Sequence, residues 1–366
     1  MLTPWYPDEA NPNAGLFIRD QAKALSNHHE VLVITAKVNY DKASLFSYTV
    51  KRSATAGVVE FRISIDRSLP LYNQLNQLFI TCWQSWLIAK RFNPDIIHAS
   101  IGYPGAFWAW MLSKLLKRPY VFTEHTRVTN NFRSAFHKQL TLFGLKRASA
   151  LMAVGSTLAK EITTITQLPV TVIPNMVDVA KFSSAQRSSI KVPQFGFLGG
   201  MNTPVKGLDI LLKAVAQIDI NFVLHIGGRG TLLDEYKAMA NALSISNKCR
   251  FYGFVDPAKL PDFMSQLHFF VCASRYETFC ISLVEAMASG LPVVSTRCGG
   301  PEDFVNATNG MLCEKEDPDA LRKTIEDMIL QYNNYSQSDL KNFSLRYSPT
   351  NVVEQLTQIY HGVLRG

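Results

Sequence analysis

The sequence predicts an α/β protein of two doubly wound units, each a parallel sheet flanked by helices. Three observations carry that prediction. Short apolar runs alternate with helix-like stretches along nearly the whole chain. The length of 366 residues corresponds to about two domains at roughly 100–200 residues each. A polar stretch at 181–191, KFSSAQRSSIK, breaks the alternation near the middle. The division that follows is a domain over 1–180, a linker over 181–191, a second domain over 192–346 and a closing segment over 347–366.

In the first half the strand candidates are Val31–Ala36, Val58–Ile65, Asp95–Ala99, Tyr120–Thr123, Ala150–Val154 and Val170–Ile173. In the second half they are Phe195–Gly199, Asn221–Ile226, Cys249–Tyr252, Phe269–Ala273, Pro292–Ser295 and Gly310–Cys313. Most are β-branched or aromatic and border Gly, Pro or Asn, as buried parallel strands do. Helical patterns lie between them, for example Leu16–Ser26, Leu208–Ala216 and Ser282–Ala288. The start departs from the pattern. A doubly wound domain opens on an apolar strand, yet only Met1, Leu2 and Thr3 precede Pro4–Trp5–Tyr6–Pro7. Most of a first strand is therefore expected to be absent, as in a chain clipped or begun at a later Met.

Composition narrows the function. Apolar residues make up 47% and charged residues 18%, which argues against overall disorder. No apolar run approaches the about 18 residues a membrane span needs, and the start lacks a signal-peptide pattern. The six cysteines form no CxxC pair and no zinc spacing. A soluble cytosolic protein is the expectation.

The net charge of +8 is unevenly spread. Residues 1–190 hold 21 Lys/Arg against 11 Asp/Glu, whereas residues 191–366 hold 16 against 18. Such a split points to an anionic partner for the first half, or to nothing more than a solvated basic surface. The segments Leu75–Phe92 and Phe107–Leu116 place Trp83, Trp86, Trp108 and Trp110 near Lys90, Arg91, Lys114, Lys117 and Arg118. That mixture suits a membrane interface. It equally suits core helices whose basic C-termini complement the helix dipole.

The densest chemistry lies at 274–303, SRYETFCISLVEAMASGLPVVSTRCGGPED. A strand ends in a loop carrying Glu277, and a helix then begins near Ile281 or Ser282 and carries Glu285. The N–H groups of Thr278 through Ser282 open that helix, and helix N-termini bind phosphate. Carboxylates accept hydrogen bonds from hydroxyls, so the two glutamates suit a neutral polyol beside the anion. Taken alone, two glutamates near a helix start are equally an ordinary surface. A second anion site fits at 196–209, GFLGGMNTPVKGLD, where Lys206 precedes a helix. A third glycine loop, HIGGRGTLLDEY at 225–236, lacks the full GxGxxG pattern and disfavours a dinucleotide.

In order and spacing these residues resemble a family. The KG at 206–207, the GxG at 228–230, the Glu-x7-Glu, MASGLPVVST and GGPED are similar to the retaining, nucleotide-sugar-dependent glycosyltransferases of family 4 (glycosyl transferases group 1). The resemblance covers nearly the whole chain, with PNAGLFIRDQAKAL, HEVLVIT, PDIIHAS, PYVFTEHT and VIPNMVD matching the first domain. It implies the GT-B fold: two facing Rossmann-like doubly wound domains with an interdomain cleft, and a last helix, Tyr347–Leu364, crossing back to the first domain. It also implies the roles. Glu285 would bond the donor ribose and Glu277 the hydroxyls of the transferred sugar. Lys206 and the backbone of Thr278, Phe279, Cys280 and Ile281 would take the diphosphate. Phe254 and Val255 would face the base, Gly15 would let a first-domain loop approach the donor, and His125 would act in catalysis.

Three positions depart from the family: Gly200 where Arg is common, Cys280 where Gly is common, and Met176 where Gly follows Asn175. A charge-assisted bond is worth about 1.5–3 kcal/mol, so Arg229 or Arg275 would have to replace the charge missing at 200. The expectation is a retaining hexosyltransferase that uses a UDP- or GDP-linked sugar as co-substrate, with no cofactor, no metal and no nucleic-acid partner. Its acceptor would be a glycan or lipid-linked hydroxyl, with peripheral contact to an anionic membrane at the inner face of the cell. A nucleotide-sugar epimerase or hydrolase on the same fold, or a non-catalytic membrane-binding protein with a vestigial sugar site, stays open at this stage.

Overall fold

The β-branched and aromatic runs of the first half form one sheet. The computed structural model describes residues 1–8, 11, 14–43, 47–55, 57–67, 73–132, 134–185, 187 and 189–366. Its strands are β1 (Leu2–Thr3), β2 (Leu32–Ala43), β3 (Tyr48–Thr55), β4 (Val58–Arg67), β5 (Ile97–Ser100), β6 (Tyr120–Glu124), β7 (Ala150–Ala153) and β8 (Val170–Val172). They lie in the order β3-β4-β2-β1-β5-β6-β7-β8. Every pairing is parallel except β3 with β4. The first strand, expected to be mostly absent, is two residues long and sits mid-sheet, Leu2 facing Ile34 on one side and Ala99 on the other.

Helices α1 (Leu16–Leu25), α2 (Asn73–Phe92), α3 (Gly102–Leu116), α4 (Ala135–Leu145) and α5 (Ser156–Thr166) accompany this sheet. Sheet and helices form one compact unit, Met1–Met176, joined by Pro349–Gly366. Val177–Ser348 form the other. There the strands are β9 (Gln194–Leu198), β10 (Val223–Gly227), β11 (Cys249–Gly253), β12 (Phe269–Cys272), β13 (Val293–Thr296) and β14 (Gly310–Cys313). They form an all-parallel sheet in the order β11-β10-β9-β12-β13-β14. The helices are α6 (Leu208–Val215), α7 (Leu233–Ala242), α8 (Leu260–Ser265), α9 (Ile281–Ala288), α10 (Pro318–Gln331) and α11 (Gln337–Ser344).

The chain returns to the first unit through α12 (Pro349–Arg365). Proline opens this helix, where its missing N–H costs nothing. Val352, Val353, Leu356 and Tyr360 then recur on one face and pack with Ile18, Ala22 and Leu25 of α1. The segment 181–191, expected as a linker, is counted with the second unit. Residues 186 and 188 fall outside the described ones, but Phe182 and Ala185 are buried. The Arg187 guanidinium donates to the carbonyls of Gly290, Tyr332 and Tyr335, the helix-end groups that need partners.

The strands were expected to be buried, and two are not. The edges β8 and β11 are half exposed, because an edge strand has a neighbour on one side only. Of the four tryptophans at 83–110, Trp108 is fully buried and donates to Ser85 Oγ at 3.0 Å, bridging α3 and α2. Trp110 stands edge-on to Phe143 at 4.6 Å. Trp108 is thus a core residue and Trp110 is half-buried, whereas Trp83 is 49% exposed.

Candidate active site

In the second unit the loops follow the C-terminal ends of the strands, where open α/β sheets place their ligands. After β9 the chain makes a turn ending in Lys206, and Gly207 takes the left-handed backbone that starts α6. After β12 it makes the Glu277 loop. Lys206 Nζ donates to Glu277 Oε1 at 2.6 Å, and Ser274 Oγ to the same oxygen at 2.8 Å. Two residues singled out 71 positions apart are thus one ion pair. Their side chains are 34% and 11% exposed. Burial works against the Lys206 charge, but the adjacent Glu277 carboxylate outweighs it and holds the ammonium firmly protonated. Burial lifts the Glu277 carboxyl above its ordinary value, against the pull of Lys206.

The loop itself is pinned by its backbone. Glu277 N–H donates to Cys298 O, and Gly300 N–H donates back to Glu277 O, each at 2.8 Å. Cys280 precedes α9 at φ 78°, a left-handed conformation in which a side chain costs roughly 1–2 kcal/mol. Glycine is therefore the relaxed residue there, which is the physical content of that departure. Phe279 buries its ring against Phe304 and Tyr347, so only its backbone is available to a ligand. Thr278 and Ile281 flank it at the mouth of α9, and Glu285 lies one turn inside.

The two arginines offered as substitutes for a charge at 200 differ. Arg275 clamps Asp209 with both terminal nitrogens, at 2.9 and 2.8 Å, and also reaches Glu316. It is a brace across the Lys206 turn, not a free cation. Arg229 instead lies over the Phe254 ring at 4.7 Å, and both are exposed. Val255 follows, with a methyl group close to Gly227. The GxG loop has a structural reason. A side chain at Gly228 or Gly230 would strike the backbone of Gly199 or Met201, so the glycines let two loops lie against each other.

In the first unit Gly15 caps α1 at φ 65°, where a side chain would collide with the Trp5 carbonyl. Two residues on, the Phe17 ring lies 4.5 Å from that of His125, which follows β6. His125 Nδ1 meets Asn175 Oδ1 at 3.0 Å, which assigns the ring proton to Nδ1 and the lone pair to Nε2. Burial lowers its pKa to about 4, so the ring is neutral near pH 7. Beside it the buried Glu124 accepts from the N–H groups of Gly102, His125 and Thr126 at 2.9, 3.0 and 3.1 Å. Burial nevertheless raises that carboxyl to about 7.

Sequence reasoning missed Asn175, Glu124 and Ser274. Asn175 stood in VIPNMVD and Glu124 in TEHT, yet nothing along the chain paired the first with His125. Met176 is buried in the core of the first unit, so its side chain is a packing residue.

Two Rossmann-like domains in one chain, each with its site residues at the C-terminal ends of parallel strands, define the GT-B class. Anabaena Alr3699/HepE, solved in complex with UDP, superposes with a TM-score of 0.75 at 19% identity, over 99% of this chain and 98% of that one. The family models for Glycosyltransferase Family 4 and Glycosyl transferases group 1 match residues 14–181 and 184–342. The chain belongs to these glycosyltransferases. The uncharacterized glycosyltransferase MJ1178 of Methanocaldococcus jannaschii is 34% identical over 45% of this chain and 47% of its own length. A phosphatidylinositol N-acetylglucosaminyltransferase subunit of Arabidopsis thaliana is 26% identical over 70% of this chain and 59% of its own. The chain thus spans less than two thirds of either relative.

Proposed function

We propose that the chain transfers a hexosyl group from a UDP- or GDP-linked sugar to an acceptor hydroxyl with retention of anomeric configuration. The observation that carries this reading is the Lys206–Glu277 pair at the mouth of α9. It offers a cation to a diphosphate and a carboxylate to sugar hydroxyls. Glu285, one turn inside, takes the ribose, and the Arg229–Phe254 stack offers a face to the base. The UDP and UDP-glucose held by the Anabaena protein favour the uridine form.

In the transfer the bond from the anomeric carbon to the diphosphate oxygen breaks, and its electron pair stays on that oxygen. Lys206 and the N–H groups opening α9 stabilise the growing charge, which requires no metal in this reading. The acceptor oxygen bonds to the anomeric carbon on the same face, and its proton passes to the departing phosphate. Neutral His125, with its lone pair on Nε2, accepts a hydrogen bond from a sugar hydroxyl. Lys206→Ala and Glu285→Ala should each lower transfer at least about a hundredfold with the circular dichroism unchanged. Wild-type rates in either variant would remove the site assignment.

The acceptor reading rests on α2. Phe79, Trp83 and Leu87 are 65%, 49% and 37% exposed and recur every four residues, with Lys90 and Arg91 at the end of the helix. Such a stripe fits the headgroup boundary of an anionic bilayer, and a lipid-linked acceptor in surface glycan assembly would present its hydroxyl there. Among the described residues no helix is long and apolar enough to cross a membrane, so this contact is peripheral in the proposal. Binding to vesicles containing phosphatidylglycerol should weaken with salt and fall in Phe79→Ala/Trp83→Ala. Equal binding to neutral vesicles would count against it.

A further inference from the structure

At the Glu277 loop two sulfurs and the carboxylate converge, with a third cysteine beside them. Cys272 ends β12, Cys280 precedes α9, and Cys298 lies in the loop after β13. All three are buried. The Sγ atoms of Cys272 and Cys280 are 3.6 Å apart, and the Cys298 thiol also bonds to Cys272. Ligand atoms of Cys272, Glu277 and Cys280 lie within 4.8 Å of one another. An ion bound tetrahedrally at about 2.3 Å from sulfur sets neighbouring sulfurs about 3.8 Å apart. The Cys272–Cys280 pair already has nearly that spacing.

We propose that Cys272 and Cys280, with Glu277, bind one thiophilic divalent cation of the zinc class. Thiolates select soft ions over magnesium or calcium, and two thiolates with one carboxylate leave the fourth position of a tetrahedral set to solvent. On binding, the two thiols release their protons and two sulfur–metal bonds form. Two thiolates and a carboxylate around a divalent ion leave a net charge of −1. Lys206 stands beside them to offset it, and both Lys206 and Ser274 orient the carboxylate from outside. The ligands come from a strand end, the loop after it and a helix cap, so no CxxC spacing announces them.

The ion is not a catalyst here. It engages Glu277, the residue assigned to the donor sugar, so metal and donor compete. That consequence alone rests on the proposed function, and under it Zn2+ raises the KM for donor while a chelator restores it.

The test uses Co2+ as the probe, titrated into the reduced full-length chain without donor. The expected result is a thiolate-to-cobalt charge-transfer band that saturates at one equivalent and is abolished by Zn2+. Affinity should fall at least about tenfold in Cys272→Ala and in Cys280→Ala. Circular dichroism checks each variant, and if one fails to fold the other carries the comparison. Absence of the band in folded wild-type protein would overturn the proposal, as would full affinity in a folded variant. A chain that gives the band but is not thermally stabilised by any UDP- or GDP-sugar would remove the donor reading and leave the metal site standing. Stabilisation by a nucleotide sugar without the band would do the reverse.

Discussion

Position 200 concentrates the electrostatics of the proposed donor site. A Cβ there would meet no other atom within 4 Å, and the backbone imposes no positive φ. With Arg275 held by Asp209 and Arg229 lying on Phe254, the cation best placed for a diphosphate is Lys206, itself paired with Glu277. The backbone at 200 therefore accepts a residue with a Cβ, and an arginine would add charge there. Gly200→Arg should tighten UDP binding by about tenfold or more, the equivalent of one charge-assisted bond, in a calorimetric titration. Unchanged affinity would mean that the diphosphate does not reach this loop.

At the scale of elements, α12 is held to the first unit by apolar burial and by polar contacts, among them His29 Nε2 with Thr357 Oγ1 at 3.0 Å. His98 on β5 meets Tyr360 OH at 2.6 Å and Thr123 Oγ1 at 2.7 Å, all within the core. Tyr360→Phe leaves a ring nitrogen of His98 without its partner, which costs about 1–3 kcal/mol. Urea denaturation should register that loss, and an unchanged midpoint would contradict it. The same elements explain what was legible in the sequence. Buried parallel strands such as β6 and β12 announce themselves as apolar runs, and α6 and α12 as stripes. The edge strand β3, YTVKRSAT, is exposed along its whole length, so no burial pattern marks it. Two basic residues, Lys51 and Arg52, sit mid-strand, a common protection for an open edge. At the site, residues near in sequence were readable as a motif. The pairings Lys206–Glu277 and His125–Asn175 depend on which strands are neighbours, and sequence order does not give that.

For the whole molecule the buried histidines set the response to acid. Burial lowers His98 to about 3 and both His125 and His225 to about 4. In the unfolded chain each titrates near 6.5, so as pH falls below that value the unfolded state takes up protons that the folded state refuses. Their neutral burial costs nothing above about pH 6.5 and costs stability progressively between 6.5 and 4, on the order of 3 kcal/mol for each fully buried ring. Glu124 works the other way: raised to about 7, it contributes stability below about pH 4.5 that is lost as pH rises through 7. Three rings outweigh one carboxyl. The urea midpoint should therefore drop steadily from pH 7 to pH 4.5, and a flat profile would show that these rings are not buried in neutral form.

The Lys206–Glu277 ion pair has a consequence for turnover under the proposed reaction. With no ligand bound, each charge is already satisfied by the other, so a stray phosphate gains little by entering. A nucleotide sugar compensates both partners at once, giving the lysine its diphosphate and the carboxylate its hydroxyls. After transfer the sugar has gone and Glu277 is left facing a diphosphate of its own sign. Re-forming the original pair then favours ejection of the spent nucleotide, so the contact that closes the empty site also helps to clear it.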